Sequence, residues 1–359
     1  MKSRRSSPVV RTAFTAITLG VLSLGSSAFA EVDRLQGVVP PLTATKPLTI
    51  GASLVHLQDD FWKGIAYGIA DEAKLSNVKV VQLTVAGGYG KVREQFGQLE
   101  TLQSLGVNTV VLGAAAFDGY TPLLKRLKAS GINVAAAGIP VNSPSVDFGV
   151  GQSDVGIGAA LAGAVCTDKG AEHRKVIVVP GPAGAEWARL RAVGFNDAAA
   201  KCAGLEVING AQGGGMNLES GLAMTSDLLQ TNSDASYVYT PAIPTGMGAV
   251  QAVKQQGSQA KVVTGTITRR VVPLIENKQL LAVASEPGIL IGRLIVQYAI
   301  RQNEGLPMPA MQKSEGMPYP QIAVPNQLLQ SSNVKTYPYD VYDLPPEGWS
   351  PEQLSSASR

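Results

Sequence analysis

Residues 48–68 have the sequence LTIGASLVHLQDDFWKGIAYG, in which an apolar run, a polar turn and a helical segment follow one another. Short apolar runs such as Leu48 to Leu54 are typical of strands that are buried on both faces of a parallel sheet. Asp59 or Asp60 then supplies the cap of a helix that continues to Gly68. A strand followed by a turn and a helix is the first part of a βαβ unit. These residues therefore predict an α/β fold.

The same alternation continues along the chain. The segment from Tyr89 to Leu105, for example, has apolar residues at helical spacing. Strands separated by such helices form parallel sheets with helices on both faces. Nine strands are predicted, at Leu48–Leu54, Val78–Thr84, Thr109–Gly113, Asn133–Ala137, Lys175–Val179, Glu206–Asn209, Ser236–Tyr239, Val262–Thr264 and Leu280–Ala284.

The order of these elements occurs twice, which predicts two similar doubly wound lobes. Three features recur after 125 to 126 residues, pairing Trp62 with Trp187, Gly68 with Gly194, and Gly88 with Gly214. The connector from Pro140 to Ser145 separates the two passes, and the helix from Pro287 to Asn303 has no second-lobe strand after it. Because the chain then passes between the lobes more than once, we expect a hinge with several crossings.

The predicted boundaries follow from these connectors. The first lobe is predicted at 47–141 and 285–310, and the second at 142–284 and 311–334. We expect a linker at 31–46 before the lobes and a tail at 335–359 after them.

The first thirty residues predict a secretory signal. Four basic residues lie before or at the start of an apolar run that extends from Ala13 to Leu24, and the small-x-small triplet Ala28-Phe29-Ala30 follows. The run is about a dozen residues long, whereas a helix that spans a bilayer needs roughly 20. We therefore expect cleavage after Ala30, a periplasmic location, and no direct membrane insertion after cleavage.

The charge balance argues against a nucleic-acid partner. The full chain has 30 basic and 27 acidic residues, and removal of the four basic residues of the signal leaves 26 basic residues against 27 acidic ones. A protein that neutralises many phosphates needs a surplus of Lys and Arg. The glycines at 213–215 form no phosphate loop, because no Gly-Lys-Ser/Thr follows them.

No cofactor and no catalysis are expected. His56 and His173 are the only histidines, and neither has a second metal ligand near it in sequence. The chain has no Gly-x-Ser-x-Gly elbow and no His-Glu-x-x-His motif. The alternative of an exported enzyme would have to use the paired acids Asp59 and Asp60, which are neighbours on one turn and seldom flank a single bond.

The two cysteines of the chain predict a disulfide. Cys166 and Cys202 lie at the ends of predicted helices on either side of one strand. An even number of cysteines in an oxidising compartment favours pairing. Two buried free thiols are the alternative.

Candidate ligand-binding residues follow the strands of the first lobe. In an open parallel sheet the ligand lies outside the carboxyl ends of the strands. Asp60, Phe61 and Trp62 come after the first predicted strand and Tyr89 after the second. We expect Trp62 to contact the ligand while Phe61 packs in the core. Tyr89 follows two glycines that let the backbone approach closely, so it too is expected to face the ligand.

With these residues the chain resembles the type I periplasmic binding proteins, in particular the ribose-binding class. The turn Asp60-Phe61-Trp62 is similar to the aromatic turn that stacks on a sugar ring in that class. Gly151-Gln152-Ser153-Asp154 resembles the segment that begins the second lobe, with Asp154 as a helix cap. Arg191-Ala-Val-Gly-Phe195 matches the Arg-x-x-Gly-Phe motif whose arginine reaches the ligand, and Glu286 stands where the class often has a ligand-binding glutamine or acid.

A narrower likeness is to periplasmic sensors of this family that detect trimethylamine N-oxide for a histidine kinase. The run Ala86-Gly87-Gly88-Tyr89 is similar to theirs. Gln152 and Thr266 stand where an aromatic residue lines the second-lobe side of that site. The chain departs from the sugar class as well, because Gly138-Ile139 replaces an Asp-Arg pair.

The resemblance implies a protein whose lobes close over a small polar solute and present it to a membrane partner. That partner is a sensor kinase in the sensor subfamily, and an ABC permease is the alternative. The solute classes left open are an N-oxide or small cation, a sugar or polyol, and a small acid paired with Arg191.

Overall fold

A computed structural model describes Met1, residues 32–313 and residues 316–351. Residues 2–30 of the predicted signal, with its cleavage site, and the last eight residues of the predicted tail lie outside these ranges.

The described chain alternates strands and helices. The strands are β1 (Thr49–Leu54), β2 (Lys79–Val85), β3 (Thr109–Leu112), β4 (Asn133–Gly138), β5 (Phe148–Gln152), β6 (Arg174–Val178), β7 (Leu205–Asn209), β8 (Tyr237–Thr240), β9 (Lys261–Gly265), β10 (Leu280–Ala284), β11 (Gln312–Lys313), β12 (Pro320–Val324) and β13 (Leu328–Leu329). The helices are α1 (Asp60–Leu75), α2 (Val92–Ser104), α3 (Thr121–Ala129), α4 (Asp154–Lys169), α5 (Glu186–Ala199), α6 (Leu218–Thr231), α7 (Ile243–Gln255), α8 (Val272–Glu276), α9 (Gly288–Glu304) and α10 (Tyr339–Tyr342).

The strands form two sheets. The first has the order β11-β12-β5-β4-β3-β1-β2 and the second the order β13-β10-β9-β8-β6-β7. All strand pairs are parallel except those of the short edge strands β11 and β13, which pair antiparallel. The predicted fold class of two doubly wound parallel lobes is confirmed. Each of the nine predicted strands is present within about a residue or two of its expected bounds.

The structure differs from the predicted boundary between the lobes. β5 lies in the region assigned to the second lobe, yet it pairs with β4 and β12 in the first sheet. Its side chains Phe148 and Val150 are buried in the first-lobe core. The connector from Pro140 to Ser145 is therefore a loop within the first lobe, and the chain crosses to the second lobe only after Gln152. β11 and β12 likewise belong to the first sheet and not to the second lobe.

Residues 33–46, expected to be a linker, pack against the first lobe. Leu35 is fully buried. Arg34 Nε donates to Glu72 Oε2 of α1 at 2.8 Å, and the Leu42 N–H donates to Gln297 Oε1 of α9 at 2.8 Å. These contacts place the segment in the first lobe.

The tail also packs on the body of the molecule. Tyr342 is buried in the core of the first lobe, and Leu344 is buried in that of the second. This segment, residues 337–344, is called the strap below. It joins the two lobes beside the crossings at 285–287 and 325–327.

Cys166 of α4 is joined to Cys202, which follows α5, by a disulfide. The two Cα atoms are 5.9 Å apart, within the range that disulfides require. The bond ties together the two helices that cover one face of the second sheet.

Candidate functional site

The candidate site lies at the carboxyl ends of the strands. The turn after β1 and the loop after β2 approach it from the first lobe. From the second lobe and the hinge, the site is lined by the start of α4, the second turn of α5 and the ends of β9 and β10. The region between these first-lobe and second-lobe loops is called the cleft below.

Asp59 begins α1 on the first-lobe side. Its Oδ1 accepts from the Trp62 N–H at 2.9 Å, so it is the helix N-cap. Asp60 is the first helical residue and is half-buried. The sequence left open whether Asp59 or Asp60 is the cap, and in the structure it is Asp59.

Trp62 is fully buried in this structure, and its expected contact with the ligand stays a prediction. Its side chain is 0 % exposed, while that of Phe61 is 8 % exposed. The indole ring lies against the strand ends at Gly113 and Gly138, where a side chain larger than hydrogen would meet it. Because both positions are glycine, the ring has room to pack in the core.

Tyr89 provides the exposed aromatic surface on this side. Its side chain is 49 % exposed, and its hydroxyl accepts from Trp62 Nε1 at 3.2 Å. His56 packs edge-on against both rings, with centroids 6.2 Å from Trp62 and 5.5 Å from Tyr89. Trp62 therefore supports the Tyr89 ring from below, and the contact of Tyr89 with the ligand stays a prediction.

Arg191 lies at the centre of the second-lobe side and is buried. Its Nε donates to Asp154 Oδ1 at 2.9 Å. Its Nη1 donates to Glu286 Oε1 at 2.5 Å and to the carbonyl oxygen of Pro241 at 2.9 Å. The guanidinium thus joins α4, α5 and the hinge crossing.

The Glu286 carboxylate accepts hydrogen bonds from three residues. Besides Arg191, Thr266 Oγ1 donates to its Oε1 at 2.5 Å and Gln152 Nε2 donates to its Oε2 at 3.2 Å. Thr266 has a φ of 66°, which is an outlier for a β-branched residue and is typical of functional sites. The structure therefore brings together all five residues that the resemblance implied on this side, namely Gln152, Asp154, Arg191, Thr266 and Glu286.

Asp154 has a different role from the one expected. The N-cap of α4 is Ser153, whose Oγ accepts from the Gly156 N–H at 3.0 Å. Asp154 is one residue further on and turns inward to Arg191 because Ser153 already satisfies the helix end.

Three contributors were missed from the sequence. The sequence analysis considers His56 only as a metal ligand. The backbone oxygen of Pro241 cannot be recognised from the residue type. The ring of Trp187 lies 4.8 Å from the Arg191 guanidinium carbon in a cation–π contact. Its place four residues before Arg191 on one helix is the signal that identifies it.

The site perturbs its carboxyl groups in opposite directions. Burial raises the pKa of Asp59 to about 6, and the charge of Glu286 adds to this rise. Burial also acts to raise the pKa of Glu286, but the Arg191 guanidinium and the donors around it hold that pKa below its usual range. Glu286 is therefore a firmly ionised group, while Asp59 titrates near neutrality.

Within residues 32–313 and 316–351 no three His, Cys, Asp or Glu side chains are grouped as metal ligands. No helix of the described chain is both long and apolar enough to cross a membrane.

The comparisons with known proteins agree with this fold. A model of the periplasmic binding protein domain matches residues 50–306. The crystal structure of a sugar ABC transport system substrate-binding protein from Bordetella parapertussis is 51% identical, with a TM-score of 0.83 over 89% of this chain and 100% of that one. An ABC transporter solute binding protein from Bradyrhizobium, solved with bound Bis-Tris, is 26% identical, with a TM-score of 0.77 over 87% of this chain and 91% of that one.

Curated relatives are more distant. The ribose import binding protein RbsB of Bacillus subtilis is 25% identical over 71% of this chain and 81% of its own length. The periplasmic protein TorT of Escherichia coli is 24% identical over 74% of this chain and 75% of its own. With the family match over residues 50–306 and two doubly wound lobes, the chain belongs to the type I periplasmic binding proteins.

Proposed function

We propose that this chain is the periplasmic solute-binding component of an ABC transporter that takes up a small polyhydroxylated solute, a sugar or polyol. The 51% identity to a Bordetella protein described as part of a sugar transport system, over that protein's whole length, supports this proposal most directly. The proposal keeps the prediction of a binding protein without catalytic activity.

The geometry is consistent with this function. Polar groups of both lobes converge on one cleft, and Tyr89 presents an aromatic surface there. A ligand that bridges the lobes contacts both of them only in the closed form, so its binding energy shifts the population toward closure. Arg191 and Glu286 hold the hinge side of the cleft in a fixed arrangement.

The test is to titrate the purified chain with D-ribose and D-allose while recording melting temperature and small-angle scattering. We expect at least one sugar to raise the melting temperature and reduce the radius of gyration. Tyr89→Ala should weaken binding at least tenfold. Tyr67→Ala is the matched control, because Tyr67 packs on Trp349 and not in the cleft. Tight sugar binding with unchanged scattering contradicts the mechanism.

A sensor that feeds a histidine kinase is the second candidate, supported by the similarity to TorT. It predicts that trimethylamine N-oxide binds more tightly than either sugar and produces the same closure. The same titration with trimethylamine N-oxide therefore separates the two candidates.

A further inference from the structure

The charged groups of the cleft do not balance one another. Arg191 is a single buried cation that contacts the carboxyl groups of Asp154 and Glu286 directly. Burial raises the pKa of Asp154, whereas Arg191 and its neighbours hold the pKa of Glu286 below its ordinary value, so Glu286 is the firmly ionised partner.

Asp59 adds a third carboxyl group from the first lobe. The nearest basic side chain to Asp59 is His56, whose Nε2 lies 3.8 Å from Asp59 Oδ2 and whose pKa is lowered by burial, so it is uncharged at pH 7.5. The charge of Lys63 also acts on Asp59, and the acid Asp60 opposes it. The acids Glu286, Asp59 and Asp60 therefore outnumber the cations Arg191 and Lys63.

Two of the three guanidinium nitrogens of Arg191 already have acidic or carbonyl partners. Its Nε and Nη1 already donate to two carboxylates and one carbonyl oxygen, and its planar face lies over the Trp187 ring. A ligand carboxylate would approach a guanidinium that is already paired twice and would also meet the charge of Glu286. The arrangement therefore disfavours the small acids that the sequence left open.

Two buried polar atoms beside this network have no partner in the described chain. Gln152 Oε1 is inaccessible to solvent and accepts no hydrogen bond, while its Nε2 donates to Glu286. The Tyr239 hydroxyl is also unpaired, on a side chain that is 0 % exposed and close enough to Arg191 and Asp154 to be affected by their charges. Buried polar groups in native proteins are normally paired. An acceptor without a donor indicates a ligand that is rich in donors.

We propose that the cleft selects a polyhydroxylated amine that is protonated at neutral pH over a neutral sugar or polyol of the same size. This inference rests on the proposed function and narrows its ligand class. The ammonium group offsets the excess of carboxylates at Asp59, the hydroxyls donate to Gln152, and the C–H face of the carbon skeleton stacks on Tyr89. Desolvated, charge-assisted hydrogen bonds provide the discrimination.

The experiment compares matched ligands by isothermal titration calorimetry at pH 7.5. The pairs are D-glucosamine with D-glucose, and N-methyl-D-glucamine with D-sorbitol. We expect the amine of at least one pair to bind at least tenfold more tightly than its neutral partner. Asp59→Asn, which keeps a helix-capping side chain, should reduce that ratio to below threefold. Asp227→Asn is the control, since Asp227 is exposed on α6, away from the cleft, and should leave the ratio unchanged.

Equal or tighter binding of the neutral partners overturns the inference, as does a preference that Asp59→Asn leaves intact. Failure of all four ligands to bind overturns it as well. Closure on D-ribose or D-allose in the scattering experiment would then still uphold the proposed function. The converse result is an amine that binds at least tenfold more tightly than its neutral partner without reducing the radius of gyration. That result upholds the selectivity and contradicts the proposed function.

Discussion

Arg191 and Arg189 lie two residues apart on α5 and have opposite environments. Arg191 is 2 % exposed and holds two carboxylates, whereas Arg189 is exposed and pairs only with Glu186 one turn away. Removal of one partner from a buried ion pair leaves uncompensated charge, which costs far more than the loss of a surface pair.

We therefore expect Arg191→Met to lower the free energy of unfolding by roughly 3–5 kcal/mol, and Arg189→Met to change it by less than about 0.5 kcal/mol. Urea denaturation followed by circular dichroism measures both. Adding Glu286→Gln to Arg191→Met should recover part of the loss, because it removes one of the two unpaired charges. Equal effects of the two arginine substitutions would contradict this account.

Asp59 predicts a pH dependence of stability. Its pKa is about 6 in the folded chain, above the ordinary value of 3.8. The folded state therefore binds the proton more tightly than the unfolded state, and this contribution to stability is lost as pH rises from about 4 to 6.

Asp59→Asn should consequently be more stable than wild type at pH 7.5 by about 1 kcal/mol, since the side chain is nearly half exposed and solvent weakens the effect. The difference should vanish below about pH 4. Asp59→Ala is the control, because it also loses the cap and should cost about 1 kcal/mol more than Asn at every pH. A stability difference that does not change with pH would disprove the assignment.

The motif around Arg191 identified this residue from the sequence, but not its partners. Asp154 lies 37 positions away and Glu286 95 positions away. Local patterns contain no information on such pairs, so Asp154 was assigned to a helix cap. The complete burial of Trp62 could not be predicted for a related reason, because the glycines that lie against its ring, Gly113 and Gly138, are at the ends of two other strands.

At the scale of elements, glycines set the distance between paired helices. α1 packs on α9, α4 on α5 and α6 on α7. A Cβ at Gly68 would overlap the carbonyl of Ile289 on α9, and a Cβ at Gly194 would overlap that of Val155 on α4. The repeated pair Gly68 and Gly194 thus has one physical cause, the close approach of two helix backbones, whereas the pair Gly88 and Gly214 lies in loops with positive φ.

Gly68→Ala should therefore lower the free energy of unfolding by roughly 2–3 kcal/mol, since α1 and α9 must separate to admit the methyl group. Gly97→Ala is the matched control on α2, where a Cβ meets nothing within 4 Å. It should raise stability by about 0.5–1 kcal/mol, because alanine favours the helix. Thermal and urea unfolding measure both changes, and a neutral Gly68→Ala would show that the helix pair adjusts freely.

Element prediction succeeded where the apolar run was continuous and failed where it was not. The nine predicted strands are rich in branched apolar residues, whereas β5 is the glycine-containing sequence FGVGQ. β11 and β13 have two residues each. Such strands exist because a neighbour pairs with them, and that neighbour is distant in sequence. The error in the lobe boundary follows directly from missing β5.

At the scale of the whole molecule, the strap packs against the hinge and both lobes, and it contains a buried acid. Asp343 is 1 % exposed, and its Oδ2 accepts from the Tyr337 hydroxyl at 2.6 Å. Burial raises the pKa of Asp343 to about 7, while Tyr337 and the backbone N–H of Glu286 oppose the rise. The backbone of Asp343 also lies against α1 at Gly64. The protonation of one side chain is thus coupled to the packing of hinge, strap and first lobe.

Because this pKa is raised on folding, the stability contributed by protonated Asp343 is complete near pH 4 and is lost as pH rises through 7. Between pH 5 and 8, wild type should lose roughly 2–3 kcal/mol more unfolding free energy than Asp343→Asn, which keeps an acceptor for Tyr337 but does not titrate. Asp340→Asn is the control, since Asp340 is exposed in the same segment and pairs with Arg269. Urea denaturation across this pH range decides the matter: parallel curves for wild type and Asp343→Asn would mean that the strap acid does not titrate with folding.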